Sequence, residues 1–208
     1  KNTKENLHPH LSNHRLWLPP VPQDTPGKIS LFASLSQTLR TNFQLCPTYS
    51  LAKSKLQQLA SEENWKTIYT HSEEWKNTLS TILPTTNVLS TNPHYDKHAL
   101  ATADASITNC ECLIAQTGSV LISSTYCGGR NLSVLPPHHV VLAEVSQLVG
   151  DLTDAFLFLQ QKYGSNLPPY ISIITGPSRT GDIERILVLG AHGPKKLSII
   201  LIEENPPP

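Results

Sequence analysis

The chain has 208 residues, 16 of them basic and 16 acidic, for a formal net charge of zero. That balance argues against a general nucleic-acid or anionic-membrane surface, which needs clustered positive charge. No stretch approaches the roughly 18 consecutive apolar residues of a membrane span, and no signal-peptide core opens the chain, so a cytoplasmic location is expected.

The length fits a single domain with a sizeable core. Met is absent even from position 1, so an N-terminal segment is expected to have been removed. Residues 1–26 read as a disordered or loosely docked tail, with Pro9, Pro19, Pro20, Pro22 and Pro26 and no apolar periodicity. Of His8, His10 and His14, His10 and His14 would share a face on a helix, which those prolines oppose. Residues 27–203 read as one domain, and 204–208 as a polar, proline-ended tail.

Within the domain, Ile29, Leu31, Phe32, Leu35, Leu39 and Phe43 recur at helical spacing and predict an amphipathic helix over 28–43. Leu51 to Ser61 reads as a second helix, Trp65 to Tyr69 as a strand, Glu73 to Leu83 as a helix stopped by Pro84, and Val88-Leu89 as a strand. This rhythm is that of α/β units. Cys112 to Ala115 and Ser119 to Ile122 read as strands around Gln116-Thr117-Gly118. The backbone N–H groups of the Thr117-Gly118 turn can hold an anion, although most such turns are plain hairpins. Tyr126 to Arg130 is a flexible loop ending in a cation. Leu132 to Leu135 and His139 to Ala143 read as strands, and Val145 to Gln161 as a helix with an apolar stripe. Strand alternation sends His138 and His139 to opposite faces.

The chemistry concentrates between residues 173 and 194. The β-branched run Ile171 to Ile174 stops at Gly176-Pro177, and Ser178, Arg179, Thr180, Asp182 and Glu184 follow within seven positions. A second apolar run, Ile186 to Leu189, ends at Gly190-Ala191-His192-Gly193-Pro194. Loops of this kind at strand ends are where α/β folds place ligands. If Asp182 opens a helical turn, Ser178, Thr180 and the neighbouring N–H groups form an anion site. Arg179 adds a bidentate clamp and Arg130 a second cation. Glu184 and His192 are the candidate acid/base pair, with Asp182 orienting either. The alternative is structural: Arg179 pairs with Asp182 or Glu184 and closes the loop. A metal at His139 and His192 is a minor alternative. Leu197 to Ile202 is the last strand.

Cys46, Cys110, Cys112 and Cys127 form no C-x-x-C pair. In an extended segment Cys110 and Cys112 would point to one side, but the further ligands of a metal or cluster site are missing. They read as buried thiols. No nucleotide-binding glycine fingerprint or P-loop is present. No metal and no cofactor are assigned.

The run G-P-S-R-T-G-D-I-E with L-V-L-G-A-H-G-P resembles the C-terminal signature of the LUD-domain family, the lactate utilization protein C group. The resemblance reaches back through A-D-A-S-I-T, L-I-A-Q-T-G-S-V-L-I and R-N-L-S-V-L-P-P-H-H-V-V, covering residues 101–203. Gly181 departs from the family pattern, which usually has Ala there. The element pattern fits an α/β fold with a three-layer mixed sheet, and the resemblance implies the NagB/RpiA/CoA-transferase-like version of it. Some enzymes of that class form an acyl intermediate on a carboxylate, though nothing in the sequence marks Glu111 for the role.

The resemblance also implies a lactate utilization protein, a non-cluster subunit or accessory factor beside iron–sulfur subunits that oxidise L-lactate. Its own role there is to bind a small anionic ligand or to organise partners. The alternatives are a stand-alone enzyme acting on a phosphosugar, CoA ester or folate-like substrate, and a purely structural interaction module.

Overall fold

The computed structural model describes residues 20–181, 187–190 and 192–204. His8, His10, His14, Asp182 and Glu184 lie outside the described residues, and of Thr180 only the backbone is described.

Helix starts follow capping chemistry. Helix α1 (Thr25–Leu39) begins where Asp24 accepts a hydrogen bond from the Gly27 amide, with Pro in its first turn, two residues before the expected domain start at 27. It ends at Arg40, which adopts a left-handed conformation. Strand β1 (Asn42–Cys46) follows, then α2 (Tyr49–Glu62) capped by Thr48, β2 (Thr67–Thr70), α3 (Glu73–Ile82) capped by Ser72, β3 (Asn87–Ser90) and a short α4 (Lys97–Ala101) capped by Asp96. Next come β4 (Ala105–Thr108), β5 (Cys112–Ile114), β6 (Ser119–Ser123), β7 (His138–Glu144) and the two-residue β8 (Leu148–Val149). Helix α5 (Leu152–Tyr163), capped by Asp151, precedes β9 (Ile171–Ile174), β10 (Arg179–Gly181), β11 (Leu187–Leu189) and β12 (Lys196–Ile202).

Three expected elements differ. The helix expected over 28–43 is two elements, because Phe43 sits on β1 and meets Phe32 of α1 edge-on, with ring centroids 5.3 Å apart. The apolar spacing recorded a contact between elements and not one continuous face. The strand expected at Leu132–Leu135 is a 3-10 turn at Asn131–Ser133, closed by the Ser133 amide and hydroxyl donating to the Arg130 carbonyl. The helix expected from Val145 is a 3-10 turn, then β8, and only after Gly150 a helix. Leu148 pairs with Leu113 of β5, so sheet pairing captures the first part of that apolar stripe.

The main sheet has six strands in the order β1-β12-β7-β4-β2-β3, all parallel. The antiparallel pairs lie elsewhere, in a four-stranded sheet β8-β5-β6-β9 and a ribbon β10-β11. On one face of the main sheet, α2 and α3 pack Leu56, Leu59 and Leu79 against Ile68, Ile107 and Ile200. On the other, Phe32 of α1 and the second sheet (Leu113, Val120, Ile122) cover Val141, Ile199 and Leu201. Ala155 and Leu159 of α5 close the outer face of the second sheet over Cys112 and Leu121. The central strands β4 and β12 are accordingly buried almost throughout, as parallel strands covered on both faces must be.

His138 and His139 do take opposite faces of β7, and both are buried. His138 Nε2 lies 2.8 Å from Ser198 Oγ with its ring against Trp65, whereas His139 Nε2 lies 2.9 Å from Thr108 Oγ1. Burial holds the first down to about 4 and the second to about 3, with the neighbouring imidazole adding to the shift of His139. Between pH 6.5 and about 4 the unfolded chain binds protons that the folded chain refuses. Stability is therefore full above pH 6.5 and is lost as pH falls, by up to about 1.4 kcal/mol per pH unit for each histidine. Urea midpoints at pH 7, 6 and 5 should decline, and His139→Gln should flatten the decline; equal midpoints would contradict the assignment.

Candidate functional site

The chain leaves β2 outward to β3, then returns to β4 on the other side of β2 and continues to β7 and β12. That reversal makes the carboxyl ends of β2 and β4 a topological switch point, where open α/β sheets form ligand crevices. A cleft of about 680 Å³ lies there. His71 and Ser72 reach it from the end of β2, Asn109 and Glu111 from the end of β4, and Glu144 from the end of β7. Trp75 of α3 and Phe158 and Lys162 of α5 form parts of its walls.

Glu111 is the electrostatic centre. Its side chain is fully buried, at 0% exposure. Lys162 Nζ donates to Oε2 at 2.8 Å, Tyr163 donates its hydroxyl to Oε1 at 2.5 Å, and Ser123 donates to Oε1 as well. The Lys162 ammonium also sits 3.7 Å from the centroid of the Tyr126 ring. Burial alone would lower the Lys162 pKa, but the hydrogen bond and charge of Glu111 outweigh it and the net shift is upward. Burial and the Glu111 hydrogen bond raise Tyr163. Lys162 is thus a fixed cation and not a neutral amine nucleophile.

His71 lies on the same cleft with its ring 4.9 Å from Trp75, and burial lowers its pKa to about 4. The loop Tyr126–Arg130 folds over it. Gly128 has φ of +76°, and a Cβ there would fall 2.2 Å from His71 Cβ, so a side chain is excluded both by conformation and by space. Asn109 keeps its side-chain carbonyl oxygen buried with no hydrogen-bond partner among the described residues.

The described residues among those singled out from sequence sit elsewhere. Strand β9 belongs to the second sheet and runs antiparallel to β6, so the loop after it does not open at the carboxyl edge of the main sheet. The Ser178 amide donates to the Pro194 carbonyl at 2.9 Å, and the Gly190 amide donates to the Ser178 carbonyl at 3.0 Å. The two Gly-Pro loops are thereby laced together just before Lys196, the first residue of β12, at the amino edge. Arg179 is exposed on β10 and His192 is exposed on the second loop. Thr180 pairs with Val188 through the backbone.

Thr117 and Gly118 form the β5–β6 turn beside this region. Gly118, with φ of +64°, packs on Leu35 and Leu39 of α1, and the Thr117 hydroxyl is buried without a partner among the described residues. Ser119 Oγ lies 2.8 Å from Thr175 Oγ1, tying the turn to the end of β9. Arg130 is exposed on the separate loop over His71. A second recess of about 470 Å³, lined by Asp104, His138, Gly190, Gly193, Lys195 and Lys196 among others, opens at the amino edge.

The cysteines are free and buried. Cys110 and Cys127 lie between the sheets, whereas Cys112 faces α5 and Cys46 faces the α2 layer. Cys110 and Cys112 therefore join different packing clusters. Burial lifts Cys112 and Cys127 to about 12. Among the described residues no group of three or more His, Cys, Asp or Glu is placed to hold a metal ion, and no helix is long and apolar enough to cross a membrane.

Sequence reading passed over His71, Asn109 and Lys162. The one available signal was positional: each follows or faces the carboxyl end of a parallel strand, which becomes readable only once strand direction is known. Glu111→Gln keeps the volume but removes the charge that holds Lys162, and is expected to cost about 1–3 kcal/mol. Lys162→Met leaves the carboxylate buried without its cation and should cost more than Glu111→Gln. Chemical denaturation of the three proteins measures both; equal stability for all three contradicts the network.

Comparison with known proteins places this geometry in a family. A crystal structure of a DUF162 family protein from Deinococcus radiodurans superposes with a TM-score of 0.69 at 18% identity, covering 87% of this chain and 99% of that one. Lactate utilization protein C 1 of Bacillus mycoides is 35% identical over 105 residues, which are 50% of this chain and 45% of the relative. Lactate utilization protein C of Shouchella clausii is 37% identical over 104 residues, again 50% and 45%. The chain thus spans about half the length of the relatives it matches. The sequence profile of the LUD domain matches residues 93–202, just over half of the chain, and the chain belongs to the LUD domain family.

Proposed function

We propose that the chain serves in lactate utilization as a subunit without an iron–sulfur cluster, beside cluster-bearing subunits that take the two electrons released when L-lactate becomes pyruvate. The observation that carries this reading is the LUD domain match, together with relatives named for lactate utilization. The cysteines support the division of labour, since all four are buried in apolar packing and spread over three clusters. This chain's own part is to hold a small anionic ligand or to organise its partners. For the anion, Arg179 offers an exposed guanidinium on β10, with Ser178 and Thr180 beside it in sequence and His192 across the laced loops. Asp182 and Glu184 complete the acid/base set on this reading.

A stand-alone enzyme of the fold class is the second reading. It is favoured by the cleft at the carboxyl edge with Glu111 buried against it.

Co-purification with the cluster-bearing subunits and calorimetry with L-lactate and pyruvate test the first reading. Retention of those subunits is expected. Arg179→Ala is expected to weaken any carboxylate binding by at least tenfold, the scale of one charge-assisted hydrogen bond. If no cluster-bearing subunit is retained and the chain alone turns over a phosphosugar, CoA ester or folate, the second reading replaces it.

A further inference from the structure

The cleft at the carboxyl edge is built for something other than a three-carbon acid. Its volume of about 680 Å³ lies in the range of sites that enclose drug-sized ligands. Five rings line it: Tyr49, His71, Trp75, Tyr126 and Phe158. Trp75 and His71 adjoin at 4.9 Å with their planes tilted by 49°. Tyr126 and Phe158 flank the Lys162 ammonium, at 3.7 and 5.7 Å from the two centroids. Near neutral pH His71 is uncharged because it is desolvated, so it presents a heteroaromatic face and not a cation. Planar π systems stack on such surfaces.

One polar group in the cleft is conspicuously unsatisfied. Asn109 is buried, lines the cleft, and its Oδ1 has no donor among the described residues. A buried acceptor without a partner is destabilising, and a ligand N–H would relieve it. Charge narrows the ligand further. Lys53 and Lys162 are set against Glu74, Glu111 and Glu144 on the cleft walls. Glu111 already holds Lys162, and Glu144 already accepts from Tyr49. No surplus of positive charge remains for a polyphosphate or a polyanionic tail.

We propose that this cleft binds a planar nitrogen heterocycle of low charge, of the nucleoside, pterin or isoalloxazine kind, stacked on the aromatic wall with a ring or exocyclic N–H donating to Asn109 Oδ1. The inference goes beyond the lactate-utilization reading and does not depend on it, because partner retention and cleft occupancy are measured separately.

The test is calorimetry and tryptophan fluorescence on the purified chain with guanosine, adenosine, 6-methylpterin and riboflavin, against ATP and L-lactate. At least one of the four heterocycles is expected to saturate and to quench tryptophan emission, while ATP binds at least tenfold more weakly than adenosine. Asn109→Leu is expected to weaken the bound heterocycle at least tenfold, and Trp75→Phe, which keeps a ring, to weaken it less than Trp75→Leu. If these variants fail to fold, hydrogen exchange on the native chain decides the location, with protection expected over 69–75 and 106–113. The proposal is overturned if none of the four saturates, if ATP binds as tightly as adenosine, or if binding survives Asn109→Leu and Trp75→Leu unchanged.

Discussion

A carboxylate removed from water must be met by donors or lose its charge. Glu111 is met three times, by donors from two different parts of the fold. Ser123 ends β6, and Lys162 and Tyr163 end α5. Glu111 itself lies between β4 of the main sheet and β5 of the second. One side chain therefore fixes the main sheet, the second sheet and the outer helix to one another. Its burial also determines the character of the cleft. Lys162 is turned inward to the carboxylate, and Tyr126 is drawn over the ammonium as a cation–π partner. The wall that faces the cleft follows from an internal charge that had to be neutralised.

The cleft's position follows from topology. Parallel strands point their carboxyl ends to one edge, and the chain reversal between β2 and β4 parts the flanking helices there. The amino edge is finished differently. The Gly-Pro loops around Ser178 and Pro194 bond to one another, and the β5–β6 turn packs on the end of α1 through Gly118. The Ser178 amide, which the sequence offers to an anion, already donates to a carbonyl of the chain. Among the described residues on that side, the Arg179 guanidinium, the His192 imidazole, Lys195 and Lys196 are exposed.

Most of the fold was legible because its signals are local. Asp24, Thr48, Ser72, Asp96 and Asp151 each cap the helix that follows, and four of those helices carry an apolar stripe or an α/β rhythm around them. Where the reading failed, the deciding interaction was remote in sequence. Phe43 looked helical because it meets Phe32 across a turn. Leu148 looked helical until Leu113, far upstream, paired with it. The cleft suffered the same limit more severely. His71, Asn109 and Lys162 carry no motif and converge only through strand direction, whereas the dense run from Ser178 to His192 is conspicuous in one dimension.

The division of the cleft along the chain bears on what relatives can share. Its polar floor, Asn109, Glu111 and Lys162, lies within the stretch matched by the LUD domain, as do Tyr126 and Phe158. Trp75 and His71, on the opposite wall, come from β2 and α3, upstream of that stretch. The buried ion pair is set by β4, the second sheet and α5, all inside the match, so it belongs to the stability of the domain. The Trp75 wall is attached to that domain by α2 and α3 packing on the main sheet, and it can change without disturbing Glu111. In this chain the electrostatic floor is thus supplied from inside the LUD match, and the Trp75 wall from the segment upstream of it.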